Sequence, residues 1–168
     1  MRLTLPDGTN VLVRPIAAED KPLLAAGIRR LSPETAFRRF LSPKVSFTAA
    51  ELRYLTEVDG HDHIALVAVQ AENPRNLIAV DRCVRTAPGD TAELAIVVGD
   101  PWQGLGLGGI LTRELTRRAR REGIRRMSGS MLAYNRPAFR LMRKSFETPF
   151  EQDHLDGPVR EIVARLAA

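Results

Sequence analysis

The stretch from Val97 to Arg121, VVGDPWQGLGLGGILTRELTRRARR, limits the possible folds of this chain more than any other. A short apolar run enters a loop with four glycines, and a helical pattern leaves it. Such a turn presents unpaired backbone N–H groups at the positive end of a helix dipole, which suits phosphate. Three phosphate loops compete, and each demands a different fold. The P-loop requires G-x-x-x-x-G-K-[ST], because a lysine must reach the phosphates and a hydroxyl must hold magnesium. No lysine follows any loop glycine here. Gly104, Gly106 and Gly109 spell the dinucleotide fingerprint G-x-G-x-x-G, but GDPWQ separates them from the strand. The acidic residue expected about 20 positions on is missing from SGSMLAYNR. The rest of the chain is also too short and too antiparallel for two mononucleotide halves. Counted from Gln103, the loop reads Q-x-x-G-x-G, an anion cradle at a helix N-terminus. In that reading Gly106 and Gly108 let the backbone approach the anion in dihedrals that a Cβ forbids. Leu107, Ile110, Leu111, Leu115 and Ala119 then share the core face of the helix. Arg113, Arg117, Arg120 and Arg121 point elsewhere, as a solvated face or a nucleotide clamp.

The rest of the chain supplies the layers around this junction. LTLPDGTNVLVRPI reads as a hairpin about Asp7-Gly8. AAEDKPLLAAGIRRL reads as a helix opened by acidic residues, and SPETAFRRFL as a second, with Ser32 as N-cap and Pro33 at its first position. Thr48 and Glu51 form a capping box for a third. HIALVAVQ, NLIAVDRCVRT and TAELAIVV are β-rich runs joined by the short turns AENPRN and APGD, which predicts an antiparallel meander. The loop helix should stop at Gly123. RRMSGSML then reads as a strand, NRPAFRLMRK as a short helix, and PVREIVARL as a final strand, with a helix as the alternative. Early helices, a meander and a β-α-β-α-β end predict a single α+β domain over residues 1–168.

Composition excludes several classes. A chain of 168 residues with 44% hydrophobic and 27% charged residues has the balance of one globular domain. No apolar run approaches the roughly 20 residues of a membrane helix, and MRLTLPDGTN has no signal-peptide core. One cysteine, Cys83, rules out an internal disulfide. These features point to the cytoplasm. The net charge of +5 is carried almost wholly by arginine, which suits a polyanionic cofactor, nucleic acid or an acidic partner. No nucleic-acid motif accompanies it. His61 and His63 flank Asp62 without the cluster that a metal site needs, so no metal is expected.

AELAIVVGDPWQGLGLGGILTREL, MLAYNRPAFRLM and, in the front half, DGTNVLVRPIAAED and LSPETAFRRFLSP are similar to the GNAT acetyltransferases. Within them the chain resembles the acetyltransferase domain of the bacterial protein-lysine acetyltransferases often called Pat. The resemblance covers Leu3 to about Phe146. It implies the GNAT fold, a mixed, mostly antiparallel central sheet flanked by helices, and acetyl-CoA as cosubstrate. By resemblance, the backbone of Ile96, Val97 and Val98 pairs with the pantetheine arm. Gln103, Gly104, Leu105, Gly106, Leu107, Gly108 and Gly109 form the pyrophosphate loop. Asn135 contacts coenzyme A, caps the next helix, or both. Glu93, ten residues before Gln103, is the implied general base. A lysine amine has a pKa of about 10.4 and needs deprotonation before attack. The implied acceptor is a protein lysine, as on acyl-CoA synthetases, with a small-molecule amine as the alternative. The third alternative is a weakly catalytic acyl-CoA-binding or sensor module. The chain is expected to be a monomer or a homodimer.

Two positions depart from the family pattern. Many GNAT enzymes place a tyrosine seven residues after the asparagine, as acid for the leaving thiolate; here Met142 stands there. Ser145-Phe146 replaces the usual Gly-Phe pair, one residue early, so the helix lacks its glycine stop. Tyr134 is either a substitute acid or a packing aromatic.

Overall fold

The computed structural model describes residues 1–86, 89–146 and 148–166. Eight strands form one sheet in the order β1-β2-β3-β4-β5-β6-β8-β7, with every pair antiparallel except β5–β6. The strands are β1 (Arg2–Thr4), β2 (Asn10–Pro15), β3 (His63–Gln70), β4 (Leu77–Arg85), β5 (Thr91–Val98), β6 (Arg126–Leu132), β7 (Phe150–Asp156) and β8 (Val159–Arg165). The helices are α1 (Lys21–Arg29), α2 (Pro33–Phe40), α3 (Ala49–Thr56), α4 (Leu107–Arg121) and α5 (Arg136–Ser145). None is long and apolar enough to cross a membrane.

Two cores sandwich the sheet. On β3, Ile64, Leu66 and Ala68 join the larger core beneath α4 and α5, while Ala65, Val67 and Val69 join the smaller one beneath α1 and α3. Burial on both faces explains why β3 reads as a continuous hydrophobic run from Ile64 to Val69, and why β4 is buried from Leu77 to Cys83 although Asp81 and Arg82 interrupt its apolar residues.

Most local signals operate as the residues suggest. Ser32 Oγ accepts from the Thr35 amide at 3.2 Å, and Pro33 opens α2. Thr48 Oγ1 and the Glu51 carboxylate close the capping box of α3 at 3.1 and 2.7 Å. Gly123, with φ +80°, ends α4: its N–H donates to Arg120, and that of Ile124 to Ala119. This is a Schellman stop, worth several tenths of a kcal/mol or more against a residue with a Cβ.

Two expectations need correction. The first helix does not begin at Ala17: a 3₁₀ turn, Ala18–Asp20, precedes α1. The buried Asp20 carboxylate accepts from Arg14 at 2.6 and 2.7 Å and from the Ala17 amide at 2.9 Å, so it ties the chain to β2. Strand β7 was not anticipated. It is a polar edge strand with almost every residue exposed, so it carries no alternation to read. Its signal was Asp156-Gly157, with Gly157 at φ +55°, a hairpin turn between β7 and β8.

Candidate active site

β5 pairs with β4 from Ala92 to Val98, but with β6 only through Thr91, Ala92 and Glu93. Beyond Glu93 the two parallel strands part, while β6 keeps its pairing with β8 through Leu132. The gap opens into a cleft of about 670 Å³. Glu93, Ile96, Val97, Val98, Gln103, Gly104, Gly106, Leu107, Gly108, Gly109 and Asn135 all line it. Leu105 does not; its side chain packs on the larger core.

The register decides which backbone groups face the gap. In a strand, consecutive residues point their N–H and C=O to opposite sides. The Gly99 amide donates to Ile78 on β4, and the Thr91 carbonyl accepts from Thr86. Odd-numbered residues of β5 therefore spend their backbone groups on β4. Leu94, Ile96 and Val98 turn theirs toward the cleft. An extended ligand with amide groups can add there as a further strand. The N–H of Val98 or Ile96, not that of Val97, is free to polarise a carbonyl.

At the far end of β5 the chain makes a 3₁₀ turn, Asp100–Trp102, before α4. Gly104 and Gly106 hold φ of +78° and +85°, and a Cβ on either would meet nothing within 4 Å. Both cost an L-residue about 1–2 kcal/mol, and both leave open space in front of the helix. Gly108 plays a different part from the one its position suggests. It is helical, and a Cβ there would touch Leu141 at 3.4 Å and Ile96 at 3.6 Å, so it brings α4 close to α5 and β5. No side chain caps α4 at Gly106, so the N–H groups of its first turn remain for a ligand.

Gln103 does not point its amide at the cradle. Its Nε2 donates to the Val98 carbonyl at 3.0 Å and to Thr35 Oγ1 at 3.2 Å. Asp100 completes this brace: it accepts from Ser32 Oγ and Thr35 Oγ1, both at 2.7 Å, and from the Ser32 amide at 3.0 Å. These bonds lash α2 to the loop and hold Asp100 ionised against its desolvation. Sequence reading took GDPWQ only as an interruption and missed this brace.

Cations gather in the cleft from helices not expected to supply them. Arg38 and Arg39 come from α2, and Arg140 and Lys144 from α5. None of the four α4 arginines weighed as a clamp lines it. Arg117 pairs with Glu114 at 2.7 Å, a surface contact of little energetic weight. Asn135 both caps α5, accepting from the Ala138 amide at 3.2 Å, and lines the cleft, so its two readings coincide in space. Glu93 is exposed at the point where the strands separate. Arg39 lies near enough to feel the Glu93 charge.

The departures also have structural answers. Met142 is buried, and its ε-methyl fills the space over Gly129, where a Cβ would stand only 2.8 Å away. It offers no proton. Without a glycine stop, α5 ends by passing into extended backbone at Phe146, whose ring enters the larger core. Tyr134 lies outside both the cleft lining and the core, with Arg38 5.8 Å from its ring centre. Cys83 is fully buried, and its thiol is pushed up to about 12. His61 binds Glu122 at 2.7 Å, and His63 Nε2 contacts Arg82 at 3.1 Å.

Asp81, on β4 opposite Ile96, went unremarked in the sequence. It is 0% exposed, and neither its oxygens nor the neighbouring Thr112 hydroxyl reaches a partner in hydrogen-bond geometry. Burial pushes its carboxyl up to about 8, so the proton stays on at neutral pH.

Residues 28–147 match the acetyltransferase (GNAT) family. The chain belongs to the GNAT family of acetyltransferases. Their acetyl donor is acetyl-CoA. An acetyltransferase of Pseudomonas aeruginosa is 35% identical over 134 residues, which cover 79% of this chain and 72% of that protein. The acetyltransferase Pat of Mycolicibacterium smegmatis is 36% identical over 132 residues, covering 77% of this chain but 39% of that one. The chain thus spans well under half of that longer relative. The crystal structure of the GNAT domain of S. lividans PAT superposes with a TM-score of 0.87 at 26% identity, covering 99% of this chain and 96% of that one.

Proposed function

We propose that this chain transfers the acetyl group of acetyl-CoA to a primary amine, with Glu93 as general base. The observation that carries the reading is the parting of β5 and β6 immediately after Glu93, beside the uncapped N-terminus of α4. The groups present suit the donor. The cradle at Gly104 and Gly106 has the space and the N–H groups for a pyrophosphate, and the cleft cations suit its charge. Ile96 offers its N–H and C=O to an amide-bearing arm, and Val98 its N–H, since Gln103 holds the Val98 carbonyl. The bound donor supplies an activated acetyl carbon. The Val98 N–H, or that of Ile96, stabilises negative charge on the thioester oxygen. Glu93 removes a proton from the amine, directly or through a water. Attack is direct, since Cys83 is buried in the core and its thiol is held protonated. A thiolate of pKa about 8.5 leaves acceptably without an acid in the place of Met142.

The acceptor is a protein lysine, as on acyl-CoA synthetases. The similarity to Pat supports this, and Glu93 stands at an open cleft that a macromolecular side chain can reach. The second reading, a small-molecule amine, is favoured by an apolar cavity that meets the cleft at Arg39, Phe40, Val97 and Trp102. The test is incubation with labelled acetyl-CoA and host lysate, beside Glu93→Gln. The variant keeps acetyl-CoA affinity and loses about 100- to 10,000-fold in kcat/KM. Undiminished turnover removes Glu93 from the role. Binding of acetyl-CoA without label on any acceptor marks an acyl-CoA-binding module instead.

A further inference from the structure

The apolar cavity behind β5 has a volume of about 440 Å³, within the range of small-ligand sites, roughly 300–1,000 Å³. It lies between α1, α2 and α3 and the face of β4 and β5 opposite α4, with Leu24, Ile28, Phe47, Leu55 and Val80 in its walls. Most of its polar groups are already engaged. Arg30 donates to the Leu77 carbonyl at 3.2 Å, and Asn76 to Gln70 at 3.0 Å. Arg82 donates to the Leu55 carbonyl and contacts His63, both at 3.1 Å. Asp100 is held by Ser32 and Thr35.

Arg39 is the exception. It borders both this cavity and the cofactor cleft. Its guanidinium lies over the Phe40 ring at 4.8 Å and has no hydrogen bond or ion pair with any described residue. Asp81, buried on the α4 side of β4, and Glu93, on the cleft side, are the two carboxyls whose charge acts on it, and neither forms an ion pair with it. A desolvated guanidinium with open donors is well suited to a carboxylate, which it can bind in a two-pronged fork. Val97 lines the cavity and stands on the same face of β5 as Glu93, two alternations along. Base, cation and apolar pocket therefore follow one another along one wall.

We propose that this cavity seats a second class of acceptor beside the protein lysine, an apolar α-amino acid whose carboxylate binds Arg39 and whose amine faces Glu93. The proposal rests on the acetyl-transfer reading and specifies its small-molecule branch. The amine nitrogen bonds to the acetyl carbon as the carbon–sulfur bond breaks. The acceptor ammonium gives up two protons: the first passes through Glu93 to solvent, and the second goes to the departing thiolate. The products are the N-acetyl amino acid, coenzyme A as its thiol, and one released proton.

The test measures coenzyme A release with leucine, leucinamide, phenylalanine, phenylalaninamide and a lysine peptide blocked at its N-terminus. Leucine and phenylalanine should exceed their amides at least ten-fold in kcat/KM. Arg39→Met should bring those ratios to about one, and Arg39→Lys should restore part of the preference. A merely structural Arg39 would lower acid and amide alike. Equal turnover of leucine and leucinamide by the wild type overturns the proposal. Acetylation of the lysine peptide with leucine ignored overturns it and leaves the transfer reading standing. Acetyl-CoA bound with no acceptor consumed overturns both.

Discussion

Asp81→Asn tests whether the central sheet of this protein carries a protonated carboxyl. Asp81 is fully buried between Leu66 on β3 and Ile96 on β5, beneath α4, and its oxygens find no partner in hydrogen-bond geometry. The carboxyl is held at about 8, against 3.8 for a free aspartate. Below pH 3.8 both folded and unfolded chains keep the proton. Between the two values the unfolded chain releases it and the folded chain does not, so stability falls as pH rises. Each pH unit costs about 1.4 kcal/mol, and the whole window costs at most about 6 kcal/mol. Above about pH 8 both states are ionised, and no further loss occurs. Asparagine has the same shape and no titrating proton, so the variant escapes this loss. Its stability relative to wild type should therefore rise by about 4 kcal/mol between pH 5 and pH 8. Denaturant midpoints of both proteins at half-unit steps from pH 5 to 9 measure the difference, and the titration of all other groups cancels in it. A difference that stays constant across this range refutes a buried neutral Asp81.

Two further predictions concern the cleft. Gly106→Ala imposes a left-handed strain of about 1 kcal/mol, a fall in melting temperature of about 2–4 °C, and places a methyl group where the cradle is open. Calorimetry should show acetyl-CoA affinity falling at least ten-fold. Gly8→Ala, with φ +88° in the first hairpin, should lose similar stability and no affinity. Equal affinity loss in both would show that strain, not the cradle, is responsible. Asn135→Asp keeps an N-cap acceptor for the Ala138 amide, whereas Asn135→Ala removes it at about 1 kcal/mol. Both should weaken acetyl-CoA binding, and only the alanine variant should lower the melting temperature. Wild-type affinity in Asn135→Asp would leave Asn135 with the capping role alone.

Much of this architecture is legible residue by residue, because the interactions responsible are local. Ser32 with Pro33, Thr48 with Glu51, and Gly123 mark helix ends through bonds that span five residues or fewer. The apolar runs of β3, β4 and β5 announce strands because each is short, rich in β-branched residues and bounded by turn residues. The loop from Gln103 to Gly109 announces an anion site because few other uses require so many glycines before a helix. Other features depend on contacts between distant parts of the chain, and no local pattern encodes them. Gln103 meets Thr35 across 68 positions and becomes a brace. The separation of β5 from β6 after Glu93 is a matter of register between strands about 36 positions apart, with β8 holding β6 on its other side. The same register turns Val98 toward the cleft and Val97 toward β4. Arg39 and Asp81 look ordinary in sequence. The proton on Asp81 and the desolvation of the Arg39 guanidinium come from burial, and burial exists only once α2 and α4 have packed on opposite faces of the sheet.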